Sequence, residues 1–250
     1  MIPPLRIAHL YPLTMFGGGD RGNVFALQKR ARFHSLPIHI ESIEIGQGIQ
    51  QGYYDLFIMG GGEEAAQKAV CADLLGKKGD ILMQEIEKGI PCLAIAAAFE
   101  LFGKHFTDSS GKKCPALEYL DMYSEREVPA IAGTCLIEVT IDGKSEKVVG
   151  FEQHFGRNYL GPNTRPLGRV LMGKGNNGQD GNEGVAHKGF IGTYLHGPLL
   201  ALNVALCDVL LLPYAATHFP DVVHKKDTWY RPANVFEKAA YEEARARASS

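Results

Sequence analysis

The chain has 250 residues, 45% of them hydrophobic, with 26 basic residues against 28 acidic ones and a formal net charge of −2. That is enough apolar material for one large core, and the charge balance leaves no electrostatic footprint for nucleic acid or an anionic membrane surface. No run approaches the roughly 18 apolar residues of a membrane span, and the first residues lack the pattern of a secretory signal. Five scattered cysteines without CxxC spacing read as free thiols. The expected location is the cytoplasm, with no disulfide set, no metal, no cofactor and no membrane insertion.

Leu5 to Leu10 is expected as the first strand. A glycine-rich loop, Tyr11 to Asp20, leads into a helix over about 24–33, with Val24, Leu27 and Ala31 at helical spacing. Ile38 to Ile45 alternates and reads as a strand near the sheet edge. Asp55 to Met59 is an apolar strand that runs into Gly60, Gly61 and Gly62. A helix carrying Ala65, Ala69 and Val70 follows, then a second over about 80–88. Gly89, Ile90 and Pro91 form a turn before the buried strand Cys92 to Ile95, and the small residues from Ala96 suit the start of another helix. This order predicts an α/β fold: a doubly wound, mostly parallel central sheet with helices on both faces.

The second half reads differently. Short strands over 135–141, 147–151, 168–172 and 190–194 are separated by turn-rich segments, so antiparallel pairing is expected there. Asn203 to Leu212 reads as a closing helix, and Arg231 to Ser250 as a charged, solvated one. The expected division is a domain over 1–212 and a C-terminal extension over 213–250.

Three segments are candidates for chemistry. A strand passing sharply into a helix at Ala96 has the form of a nucleophile elbow, which lifts one side chain above the carboxyl edge of a parallel sheet. Gly60, Gly61 and Gly62 end another parallel strand, where amides without a neighbouring Cβ can face an oxyanion. His196 follows a late strand at a Gly197–Pro198 turn, and an imidazole beside an elbow is what a nucleophile needs for activation.

Certain strings carry a resemblance to a known family. They are Tyr11–Pro12, Gly19 to Asn23 (Gly-Asp-Arg-Gly-Asn), Phe57 to Gly62, Gly89 to Pro91, Gly150 to Arg157, Gly173 to Asn177 and Gly192 to Pro198 (Gly-Thr-Tyr-Leu-His-Gly-Pro). In this order they resemble class I glutamine amidotransferases of the cobyric-acid-synthase-like branch, and within it the GatD-type glutaminase subunits of lipid II isoglutaminyl synthase. The resemblance implies a heterodimeric partner, a Mur-ligase-like ATP-dependent synthetase that amidates a cell-wall precursor with ammonia from L-glutamine. It also implies roles for single positions: Ala96 at the nucleophile, His196 as its base, and Gly60, Gly61, Gly62 and Ala97 around the oxyanion. Ala130 stands where the family places the arginine for the glutamine carboxylate, with Arg126 as a nearby substitute. His154 and Arg157 stand near the mouth, where a partner interface is expected.

The departures fall on the reacting centre. Where the family elbow reads Cys-Gly-Gly-Tyr/Phe-Gln, this chain has Ala96, Ala97, Ala98, Phe99 and Glu100. No thioester can form on alanine. Cys92 lies inside the strand and is a poor substitute. The principal expectation is therefore a non-catalytic amidotransferase-like subunit. Two alternatives are a glutaminase whose cysteine was engineered away or replaced, and a small-anion binding module using an apolar floor of alanines. Asn176, Asn177, Asp180 and Glu183 lack the ligand spacing of a Ca²⁺ loop and are expected to be a solvated loop.

Overall fold

A computed structural model describes residues 3–17, 20–220 and 235–249. Four strands of the first half and two of the second build a six-stranded sheet: β1 (Leu5–Leu10), β2 (Ile38–Ile43), β3 (Leu56–Met59), β4 (Cys92–Ile95), β11 (Val185–His187) and β12 (Phe190–Thr193). Its order is β11-β12-β4-β3-β1-β2, parallel except for β11. β3 and β4 are buried at every position, as strands covered on two faces must be. β2 at the edge is mostly exposed and alternates, so its pattern came from an open face.

The connections run both ways from β1. α1 (Arg21–Phe33) carries the chain out to β2, whereas α2 (Glu64–Asp73) and α3 (Gly79–Glu87) carry it from β3 to β4 on the other side. Right-handed crossovers in opposite directions put α1 and the α2–α3 pair on opposite faces, which makes the sheet doubly wound. A short wide turn, Leu74–Lys78, joins α2 to α3 where Gly76 leaves helical geometry.

The rest of the chain differs from expectation in its strands, its elbow helix and its closing helix. The strands expected over 135–141 and 147–151 are parts of one long hairpin, β7 (Met122–Ile141) and β8 (Lys144–Leu160), turning at Asp142 and Gly143. With β5 (His105–Thr107), β6 (Lys113–Pro115), β9 (Gly168–Met172), β10 (Asn182–Glu183) and β13 (Leu195–His196), it forms a second sheet. β12 pairs antiparallel with β11 as expected, but on its other side it lies parallel to β4, with Thr193 level with Ile95 before the chain turns into the hairpin sheet. The elbow helix, α4 (Ala97–Glu100), is a single turn.

The closing helix is two: α5 (Leu199–Leu202), then α6 (Val204–His218), which continues through Pro213 and across the 212/213 boundary expected from sequence. Arg30 of α1 donates to both carboxylate oxygens of Asp208 at 2.7 and 2.6 Å, tying α6 to the sheet face. The last helix, α7 (Val235–Ser249), is not wholly solvated. Tyr241 and Ala244 pack on a small cluster containing Leu136, Val149, Met172 and Leu202, and the Tyr241 hydroxyl donates to the Lys147 carbonyl at 3.1 Å. The start of the expected helix, Arg231 to Ala233 and Asn234, lies outside the described residues. No helix among the described residues is long and apolar enough to cross a membrane.

Candidate active site

The carboxyl ends of the parallel strands are in register. Leu10 is level with Met59, Met59 with Ala94, and Ile95 with Thr193. The segments that leave these ends must therefore meet: the loop to Asp20 after β1, the glycines after β3, Ala96 after β4, and His196 three residues beyond β12. This is the edge where an open α/β sheet places its ligands.

Ala96 keeps the backbone of an elbow. Its φ of 51° and ψ of −117° lie where residues with a Cβ are strained. The bend is held by its own N–H to the Thr193 carbonyl at 2.8 Å and by the Glu100 N–H to its carbonyl at 3.2 Å. What the tip presents is a methyl group.

The base side of the site is complete. His196 Nδ1 lies 3.1 Å from Asp20 Oδ1. A carboxylate only accepts, so that nitrogen carries the proton and Nε2 keeps its lone pair. Asp20 also accepts the Gly61 N–H through Oδ2 at 2.8 Å, so its carboxylate is fixed at two points. Two distinctive strings pack on each other here. A side chain on Gly22 would collide with Pro198, and Asn23 Oδ1 accepts the Leu200 N–H at 2.8 Å. These contacts hold the residue-20 and residue-196 segments together.

The glycine triplet acts differently from what its sequence suggests. The Gly61 N–H is used by Asp20, and its carbonyl by the Gly17 N–H at 2.9 Å, so Gly61 has no amide left for an oxyanion. A Cβ on Gly61 would lie 3.3 Å from both Ala96 Cβ and His196 Cε1; one on Gly60 would press on Asp20, and one on Gly62 on Met15. The glycines are there for close approach. Gly60 lies beneath the cleft rather than in its wall, whereas Gly62 and Ala97 line it. Of the residues expected around the oxyanion, Gly61, Gly62 and Ala97 line the cleft, and the Gly61 N–H is already committed to Asp20.

The cleft, of about 280 Å³, opens over the elbow and is walled on its far side by β7 and β8. Arg126 is in that wall: its guanidinium lies 4.3 Å over the Phe155 ring and 3.9 Å from Glu64 Oε2. Ala130 does not line the cleft, because it sits in the interruption of β7–β8 pairing between Arg126 and Ile131. Arg157, expected at an interface, is buried. Its guanidinium donates to the carbonyls of Pro129 (2.8 Å), Phe155 and Gly156 (both 3.1 Å) and lies 3.7 Å from Glu127, so it braces that interruption from within. The loop of Asn176, Asn177, Asp180 and Glu183 is likewise not solvated except at Asp180: Asn176 and Glu183 are fully buried and bonded to Gly184 and to Thr193 and Tyr194.

Sequence reasoning missed the roles of three residues, Asp20, Glu100 and Tyr194. Asp20 was seen as part of a string but not as the partner of His196. Glu100 is buried at the back of the cleft, where Oε2 accepts from Gln67 at 2.7 Å and Oε1 from the Tyr194 hydroxyl at 3.0 Å. Burial pushes its carboxyl up. Tyr194 in turn stacks on His154, with ring centroids 3.7 Å apart and planes 6° from parallel. His154 lines the cleft and donates from Nδ1 to the Gly156 carbonyl at 2.6 Å; burial pulls its pKa down to about 3. Cys92 is fully buried and burial pushes its thiol up, so it holds no thiolate near the tip.

A model of the CobB/CobQ-like glutamine amidotransferase domain matches residues 6–204, well over half of the chain. The chain is similar to the lipid II isoglutaminyl synthase (glutamine-hydrolyzing) subunit GatD of Staphylococcus aureus, 36% identical over 192 residues that cover 77% of this chain and 76% of that protein. It is also similar to the GatD subunit of Streptococcus pneumoniae, 32% identical over 203 residues that cover 81% and 77%. Among solved structures, PurLQS of Thermotoga maritima shares the fold at a TM-score of 0.57 and 17% identity, covering 86% of this chain and all of that one. The register of strand ends, the elbow at residue 96 and the His196–Asp20 pair thus belong to a member of the CobB/CobQ-like glutamine amidotransferase family.

Proposed function

We propose that this chain is the glutamine-amidotransferase-like subunit of a lipid II isoglutaminyl synthase-type complex and does not itself hydrolyse glutamine. Its partner would be a Mur-ligase-like synthetase in the cytoplasm, joined as a heterodimer. The similarity to GatD subunits supports the pathway, and one observation carries the loss of activity. The elbow has its strained backbone, yet the atom at its tip is the Ala96 methyl carbon. Amide hydrolysis by this machinery begins with a thiolate attacking the amide carbon, and a methyl group has no electron pair to give.

The rest of the centre supports decay of the substrate site as well. Ala130, at the family's arginine position, is outside the cleft wall, and Arg126 is shared with Glu64 and the Phe155 ring. The test is incubation of the purified chain with L-glutamine, alone and with the synthetase it co-purifies with. No glutamate above background is expected, with an intact complex. Glutamate release abolished by His196→Ala overturns the reading.

A further inference from the structure

His154, Tyr194, Glu100 and Gly156 form one cluster at the back of the cleft. Tyr194 bridges it, stacking on the His154 imidazole and donating to Glu100. Gly156 is where His154 Nδ1 donates, and it lies so close to Glu100 and the Tyr194 hydroxyl that no side chain fits. A carbonyl accepts only, so the proton of His154 is on Nδ1 and its Nε2 holds a lone pair. That nitrogen is buried, has no hydrogen-bond partner among the described residues, and belongs to a residue only 6% exposed in the cleft wall. Leaving a buried acceptor without a donor is costly, so the site is built for something that donates.

The surroundings fix the sign of the donor. Glu63, Glu64, Glu100 and Glu125 line the cleft against one lining cation, Arg126. Arg126 is engaged with Glu64 and Phe155. Each Glu100 oxygen accepts one bond and has a second lone pair. His196 adds another imidazole whose Nδ1 is tied to a carboxylate. His154 Nε2 and the Glu100 carboxylate thus present open acceptor positions at the back of a cleft floored by the Ala96 and Ala97 methyl groups.

We propose that the cleft binds a small protonated primary amine, with ammonium as the smallest member of the class, its N–H groups directed to His154 Nε2 and the Glu100 carboxylate. This rests on the reading of the chain as a subunit without glutaminase chemistry: a centre that no longer makes ammonia from glutamine retains a seat for the protonated amine itself.

The test is titration of the full-length chain, labelled with ¹⁵N-histidine, with ammonium chloride against sodium chloride and tetramethylammonium chloride at matched ionic strength. A parallel arm uses 1,4-diaminobutane. A saturable shift of the His154 Nε2 resonance with ammonium is expected, with at least tenfold weaker binding in Glu100→Gln and none in His154→Phe, read there by calorimetry. Saturation with diaminobutane alone supports the class and makes a larger amine the source. A shift that never saturates, an equal response to sodium, a response explained by water alone in every salt, or unchanged affinity in Glu100→Gln overturns the proposal. The unliganded spectrum of Glu100→Gln reports whether the cluster survives the change. Failure here beside a silent glutaminase and an intact complex sinks only this inference, because hydrolysis and assembly are read separately.

Discussion

His196 and His154 face the same cleft from strands that lie side by side, His196 level with Phe151 of β8, but their surroundings give them opposite characters. His196 is held at Nδ1 by the Asp20 carboxylate, which stabilises an imidazolium if one forms. His154 is held at Nδ1 by a carbonyl and pressed on Tyr194, and burial keeps it neutral. One is an imidazole tied to a carboxylate; the other is a fixed acceptor. The difference teaches that a histidine's character is set by what holds its first nitrogen.

The largest expected effect concerns the neutral histidine. Its pKa is about 3 in the fold against 6.5 for an ordinary imidazole, so between those values the unfolded chain binds a proton that the folded chain does not. Stability from His154 is therefore full above pH 6.5 and falls as pH drops toward 3, by at most about 4–5 kcal/mol. Glu183, raised by burial to about 7, acts oppositely, adding stability at low pH that is lost as pH rises from 4.5 through 7. Denaturant melts of wild type and His154→Phe across pH 4 to 7 separate the two, since only the His154 contribution should vanish. An unchanged slope in the variant breaks the comparison.

A smaller effect sharpens the other side. Placing a thiol at the tip with Ala96→Cys puts it beside the His196–Asp20 pair, which should lower its pKa and make it alkylate at neutral pH faster than an ordinary thiol. Adding His196→Ala should slow alkylation about tenfold or more, whereas adding His154→Phe should leave it within about twofold. Glutamine hydrolysis by Ala96→Cys alone is expected to stay at background, because Ala130 stands outside the cleft wall and Arg126 is engaged with Glu64 and the Phe155 ring. Alkylation that responds equally to the two histidines would falsify the distinction.

The smallest effect is on the elbow itself. Alanine at φ 51° is strained and glycine is not, so Ala96→Gly should raise stability by about 1 kcal/mol, read as a rise in Tm of roughly 2–4 °C. Loss of stability there would mean that the Ala96 methyl, packed near Gly61 and His196, contributes more than the strain costs.

The sequence by itself determined the parallel half. Leu56–Met59 and Cys92–Ile95 are uninterrupted apolar runs, as strands buried on two faces tend to be, and Leu5–Leu10 departs from that pattern at Arg6 and His9 alone. The missing nucleophile was legible too, since Ala96 is a fact of composition at a recognisable bend. The long hairpin was not: the first half of β7 carries Glu125, Arg126, Glu127 and Pro129, whose polar pattern hides a strand exposed along much of its length. Tertiary structure alone decided that Asp20 serves His196, that Gly61 spends its amide on Asp20, that Arg157 is internal, and that His154 keeps an unpartnered nitrogen. Apolar runs are a local property and can be read one segment at a time. A hydrogen bond between residues 20 and 196 depends on strand order and register, which the chain fixes only when all its buried faces are satisfied at once.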